Sequence, residues 1–205
     1  MEKTARNVGV IFLLGFFVGP IGDFCHVLSG TTGYPQDAYA WYFPGGVPWW
    51  VPFLFAGAGL SVGVSHPIMD RLIGPRGRTR PGEKSWPLAC AGVAAFVGLY
   101  AASGYLPFGD GGGNDVVLAL GAIGTWAALD RTWQGALLAL LTAAAGTGFE
   151  IFLVRQSVFF YLPRTSGLLG VATWLPWLYV AASVGVGNFA RKLAAPRELP
   201  AVFPR

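Results

Sequence analysis

Charge is what this chain most conspicuously lacks. Aspartate, glutamate, lysine and arginine make up 12% of its 205 residues, about half the share of a soluble domain, which excludes an ordinary water-soluble globular fold. Lysine is rarer still, three residues against eleven arginines. That bias, with abundant Ala and Gly, accompanies GC-rich bacterial genomes and points to a bacterial inner membrane. The two histidines, His26 and His66, stand far apart, and so do the two cysteines, Cys25 and Cys90. No metal or redox spacing results, and both cysteines fall in apolar segments where they read as small buried hydrophobes. No glycine-rich phosphate loop and no nucleophile with an adjacent base occurs, so no catalytic residue, metal or cofactor is expected. The net charge of +4 is not gathered on a basic face with interleaved aromatics, which excludes nucleic acid as a partner.

What remains is 54% hydrophobic, with a mean hydropathy of +0.53. A bilayer core about 30 Å thick takes about 20 helical residues per crossing, and the apolar segments divide into six. They run from Val8 to Val27, Pro48 to His66, Trp86 to Tyr105, Val116 to Leu129, Gly135 to Val154 and Val171 to Phe189. The expected fold is all-α, a polytopic six-transmembrane-helix bundle forming a single domain over residues 1–205. Lys3 and Arg6 precede the first span as in a signal peptide, yet no small-x-small cleavage site follows it. Gly15-x-x-x-Gly19 and Gly59-x-x-x-Gly63 mark close helix packing. The fourth span, rich in Ala and Gly and joined to the fifth by the short Asp130-Arg131-Thr132 turn, reads as an inner helix beside an antiparallel neighbour.

Positive charge is retained on the cytoplasmic side. In a six-span arrangement twelve Lys and Arg residues fall on the side of the termini, five of them in the Gly- and Pro-rich loop from Arg71 to Lys84. Only Arg155 and Arg164 fall on the other. Both termini are therefore expected in the cytoplasm. The connection from Ser29 to Val47, with Tyr34, Tyr39, Trp41, Tyr42 and Phe43 and no Lys or Arg, suits an aromatic layer at the outer interface.

Several segments, taken in order, resemble the Insig (insulin-induced gene) family. They are Pro48-Trp49-Trp50-Val51-Pro52, His66-Pro67-Ile68-Met69-Asp70-Arg71, Ala95-Phe96-Val97-Gly98, Asp130-Arg131, and Thr173-Trp174-Leu175-Pro176 through Gly185-Val186-Gly187-Asn188. The resemblance covers most of the chain and implies a six-span bundle with cytoplasmic ends. In animal members it implies a membrane regulator that binds oxysterols, retains the sterol-sensing escort protein Scap in the endoplasmic reticulum and directs HMG-CoA reductase to degradation. Asp130 matches the aspartate that animal members use for partner engagement, and Phe96 a position beside their sterol pocket. The pocket glutamine of those members falls near Gly113, a departure from the family's sterol pocket. In a bacterial host the resemblance implies a bound membrane lipid such as diacylglycerol or a sterol-like molecule.

Ionisable groups inside a membrane are functional candidates. Asp23 and His26 share a helix face. Glu150 lies roughly 22 Å along its span from Gly135, which places both acids in the outer half. The expected ligand site joins Phe96, Gly124 and Trp126 as its apolar part to Asp23, His26 and Glu150 as its polar end. Asp130, at a span end beside Arg131, is expected within reach of water and of a membrane-protein partner. The functional expectation is a non-enzymatic lipid-binding regulator, with homo-oligomerisation open. The alternative is a small transporter or intramembrane enzyme using Asp23, His26 and Glu150.

Overall fold

Proline and paired glycines set the helix boundaries. The computed structural model describes residues 2–73, 85–108 and 110–195. Among these residues it contains six helices: α1 (Glu2–Ser29), α2 (Val51–Ile73), α3 (Trp86–Ser103), α4 (Gly113–Leu129), α5 (Trp133–Arg155) and α6 (Leu175–Ala194). Prolines at the first turns of α2, α3 and α6 occupy positions whose N–H would have no helical partner anyway. Thr132 caps α5, its side chain accepting from the Gly135 N–H, the usual way an orphan helical donor is satisfied. Helices α1, α2, α3 and α5 are each long and apolar enough to cross a membrane, and α4 is a shorter apolar helix.

The two glycine motifs meet each other. A Cβ on Gly15 would stand 2.5 Å from the Phe55 carbonyl oxygen, one on Gly59 would lie 3.3 Å from the Gly15 Cα, and one on Gly63 would meet Ile11 at 2.8 Å. Backbone contact between α1 and α2 therefore depends on missing side chains, as small-residue packing between membrane helices requires. Gly92 and Gly185 do the same for α3 and α6, where a Cβ on Gly185 would meet the Gly92 carbonyl oxygen at 2.6 Å.

The inner helix is α6, a correction to the sequence reading, which gave that place to the fourth span. Helix α6 packs against α2, α3, α4 and α5, and Leu178, Ala181, Ser183, Val184, Gly185, Gly187 and Asn188 are buried along it. Helix α4 is peripheral. Val116, Val117, Leu120 and Ile123 are exposed on it, while Leu118, Ala122, Thr125 and Leu129 face inward. Small residues permit close approach without saying from how many sides it comes. A helix surrounded by protein can carry serine and asparagine at little cost, whereas one facing lipid on one side must keep that side apolar.

One end of the bundle is closed by its two long connections. Strand β1 (Thr32–Gly33) pairs antiparallel with β2 (Phe160–Tyr161), Thr32 opposite Tyr161. Arg164 donates from Nη2 to the Ser29 carbonyl at the end of α1 at 2.7 Å, a cation placed where a helix exposes its last carbonyls. Below this lid lies a core of Tyr34, Val47, Val51, Phe159, Tyr161 and the fully buried Trp174. The opposite end holds the short turn from Asp130 to Thr132. Most of the basic loop, from Gly74 to Lys84, and the tail after Ala195 lie outside the described residues.

Candidate functional site

A cavity of about 520 Å³ sits inside the bundle beneath the lid, lined from α1, α2, α3, α5, α6 and both connections. Its walls are mostly apolar, with Leu14, Val18, Leu54, Val62, Val93 and Phe96 among them. Its exposed lining residues are confined to α2 and α5, namely Phe53, Gly57, Ala58, Ser61 and Phe149. The cavity is thus open sideways between those two helices, toward the surface that faces lipid.

The polar end gathers Asp23, Glu150, Thr32, Tyr34, Tyr161 and Tyr179. Tyr34 donates from its hydroxyl to Asp23 Oδ2 at 2.9 Å. Glu150 is held from both sides, Oε2 accepting from the Tyr161 hydroxyl and Oε1 from that of Tyr179, each at 2.6 Å. Burial pushes the Tyr34 and Tyr161 phenols well above their usual values, and the facing carboxylates add to the shift. These two tyrosines therefore stay protonated and serve as donors.

Three of the six residues expected at the ligand site, Asp23, Glu150 and Phe96, line the cavity. The other three do not. His26 turns away from Asp23 to bond Ser103 Oγ through Nε2 at 2.7 Å and packs edge-on against Tyr100 and Trp174. Three residues of helix share a face only loosely, and here the helix presents Asp23 to the cavity and His26 to the packed core. Trp126 packs beside Ala122 and Val184 in a separate cluster, its Nε1 donating to the Thr132 carbonyl. Gly124 is exposed, and a Cβ there would meet nothing. Both lie on peripheral α4, which contributes no lining residue. Tyr34, Tyr161 and Tyr179 escaped the sequence reading because no local spacing ties them to the acids they serve.

At the other end Asp130 is 1% exposed, which corrects the expectation of a water-accessible residue. Its Oδ2 accepts from Arg191 Nη1 at 2.8 Å, and its Oδ1 accepts from the Thr132 hydroxyl at 2.5 Å. Arg191, on α6, also forks onto Asp70 at the end of α2, with Nε to Oδ2 at 2.8 Å and Nη2 to Oδ1 at 2.9 Å. This planar two-pronged geometry is the strong form of an arginine–carboxylate pair. One cation therefore ties three elements together. The turn is tight enough that Arg131 adopts a φ of 59°, and a Cβ on Gly135 would fall 2.0 Å from Asp130 Oδ2.

Comparison with known proteins accords with this architecture. Residues 6–194 match the family model described as insulin-induced protein, INSIG. The chain is 29% identical to the insulin-induced gene 1 protein of Xenopus laevis, over 90% of this chain and 71% of that protein. It is likewise 29% identical to the insulin-induced gene 2 protein of Gallus gallus, over 95% of this chain and 83% of that one. Among solved structures it is similar to MvINS, a mycobacterial Insig homolog from Mycobacterium vanbaalenii. That match has 32% identity and a TM-score of 0.82 and covers 95% of this chain and 97% of that one. A cross-linked trimer of a cysteine variant of MvINS matches equally well. The resemblance read from the motifs holds along nearly the whole length, and the chain belongs to the Insig family of membrane proteins.

Proposed function

We propose that this protein is a non-enzymatic, lipid-binding member of the Insig family whose cavity takes a membrane lipid from the side, a diacylglycerol or sterol-like molecule being what the family suggests. The observation that carries this reading is the cavity itself, apolar along its walls, polar at one closed end and open between α2 and α5. An apolar chamber with few convergent polar groups is the usual form of a ligand site. Burying a chain there gains little relative to bilayer, so selectivity must come from shape and from the polar end. Mass spectrometry of lipids extracted from the purified protein tests the proposal. One lipid class enriched over the surrounding membrane supports it, and a profile identical to the membrane's refutes it.

The same reading holds that the chain crosses a bacterial inner membrane six times with both termini in the cytoplasm, supported by the twelve-to-two division of basic residues. Cysteines placed at Asp37 and Gly112 should then label from outside, and one at Ala194 only after permeabilisation. Asp130 would act on a membrane partner indirectly, by holding the turn that presents Arg131 and the half-exposed Trp133. Self-association like that of the MvINS trimer fits the apolar outer face of α4. Asp130→Asn that loses a cross-linked partner while the bundle stays folded supports the partner role, and equal loss of both refutes it.

A further inference from the structure

The closed end of the cavity combines two acids with an unusual set of neighbours. Both Glu150 oxygens accept tyrosine hydroxyls at 2.6 Å. Asp23 is 6% exposed. Its Oδ2 is bonded to Tyr34, and its Oδ1 accepts no hydrogen bond from the described residues. Thr32, which lines the same end and is 4% exposed, has an Oγ1 with no partner among the described residues. None of the described residues lining the cavity is Lys, Arg or His. The tyrosine hydroxyls that reach the acids already donate to them, so a group arriving between Asp23 and Glu150 meets two carboxyl groups. Phosphate and fatty-acid carboxylate would meet no cationic side chain among the described lining residues. Tyr34, Trp50, Tyr100 and Tyr161 line the same cavity, and aromatic rings attract cations.

We propose that the polar end of this cavity recognises a protonated amine, so that its preferred occupant is an amphiphilic organic cation. The ammonium lies between Asp23 and Glu150 within the aromatic ring, and the hydrocarbon tail runs along the apolar wall toward the opening between α2 and α5. The inference rests on the lipid-cavity reading and sharpens it, since a neutral hydroxyl lipid would meet the same carboxyl groups without bringing a charge for them to pair with. Charge-assisted hydrogen bonds are roughly twice as strong as neutral ones, enough for a preference of about tenfold, which is about 1.4 kcal/mol.

The test compares oleylamine, oleyl alcohol and oleic acid, which share one chain and differ only in the head group. Equilibrium binding is measured to the full-length protein in a neutral detergent, with partition into empty micelles subtracted. The expected result is that the amine binds about tenfold more tightly than the alcohol and that the acid binds least. In the Asp23→Asn, Glu150→Gln double variant the amine-to-alcohol ratio should fall toward one. Equal binding of amine and alcohol by the wild-type protein overturns the inference and leaves the lipid cavity standing. A ratio that survives in the double variant also overturns it. Binding of none of the three overturns both readings. Should the double variant not fold, the wild-type comparison decides alone.

Discussion

Two pairs of acids lie at opposite ends of one helical bundle, and their surroundings differ in the presence of a cation and of a cavity. Asp70 and Asp130 share Arg191, which answers them with three charge-assisted bonds. Among the described residues Asp23 and Glu150 are bonded by tyrosine hydroxyls only, and both line a cavity. A buried ion pair that is internally complete fixes geometry, here the mutual position of α2, α6 and the turn before α5. A buried acid pair without a cation is incomplete as it stands and is chemically suited to something that arrives. The difference separates scaffold from site more clearly than the burial of either pair does.

The largest effect should come from breaking the complete pair. Arg191→Met leaves the buried Asp130 and the half-buried Asp70 without their cation, and losing one partner of a buried pair costs about 3–5 kcal/mol. The variant should be recovered poorly and unfold well below the wild type in a thermal melt, with partial rescue when Asp70→Asn and Asp130→Asn are added. A melt within about 1 kcal/mol of wild type, the range of an exposed pair, would erase the contrast between the two ends. Gly135→Ala probes the same end sterically. The added Cβ would overlap Asp130 Oδ2, and overpacking of this kind costs about 1–3 kcal/mol. A melting temperature equal to that of wild type would show that the turn is looser than it looks.

At the cavity end the expected pattern is reversed. Glu150→Gln keeps an acceptor for one tyrosine and an amide donor for the other, so stability should change by about 1 kcal/mol or less. The lipids that co-purify should nevertheless change in head-group class, as read by mass spectrometry. A large loss of stability with an unchanged lipid profile would make Glu150 part of the scaffold. The smallest effects come from a matched pair of glycines. Gly57→Phe, at the opening on α2, should lower retained lipid several-fold with the fold intact. Gly124→Phe, on the outer face of α4, should leave retention unchanged, and equal effects from the two would mean that the lipid lies elsewhere.

The sequence carried the membrane character, the helices and the glycine packing faces of α1 and α2 because each follows from local rules. Apolar length sets a span, proline marks the start of a helix, and glycine at four-residue spacing leaves a groove that another such groove can fill. Motif order carried the family for a similar reason, since Trp49-Trp50, Asp130-Arg131 and Trp174-Leu175-Pro176 are fixed points along one line. Asp23 and Glu150 could be picked out because charge inside a membrane is costly wherever the chain folds.

The identity of what meets what belonged to the tertiary structure. Which helix is innermost depends on how many neighbours surround it, and α6 is innermost although its sequence is the more polar. Asp130 looked solvated because its local sequence is a turn. It is buried because Arg191, 61 residues away, arrives from another helix. Tyr34 and Tyr161 reach the acids from the two connections that β1 and β2 pair, and His26 faces the packed core, where it meets Ser103. Such contacts are set by the packing of helices far apart in the chain, a constraint that no local spacing encodes.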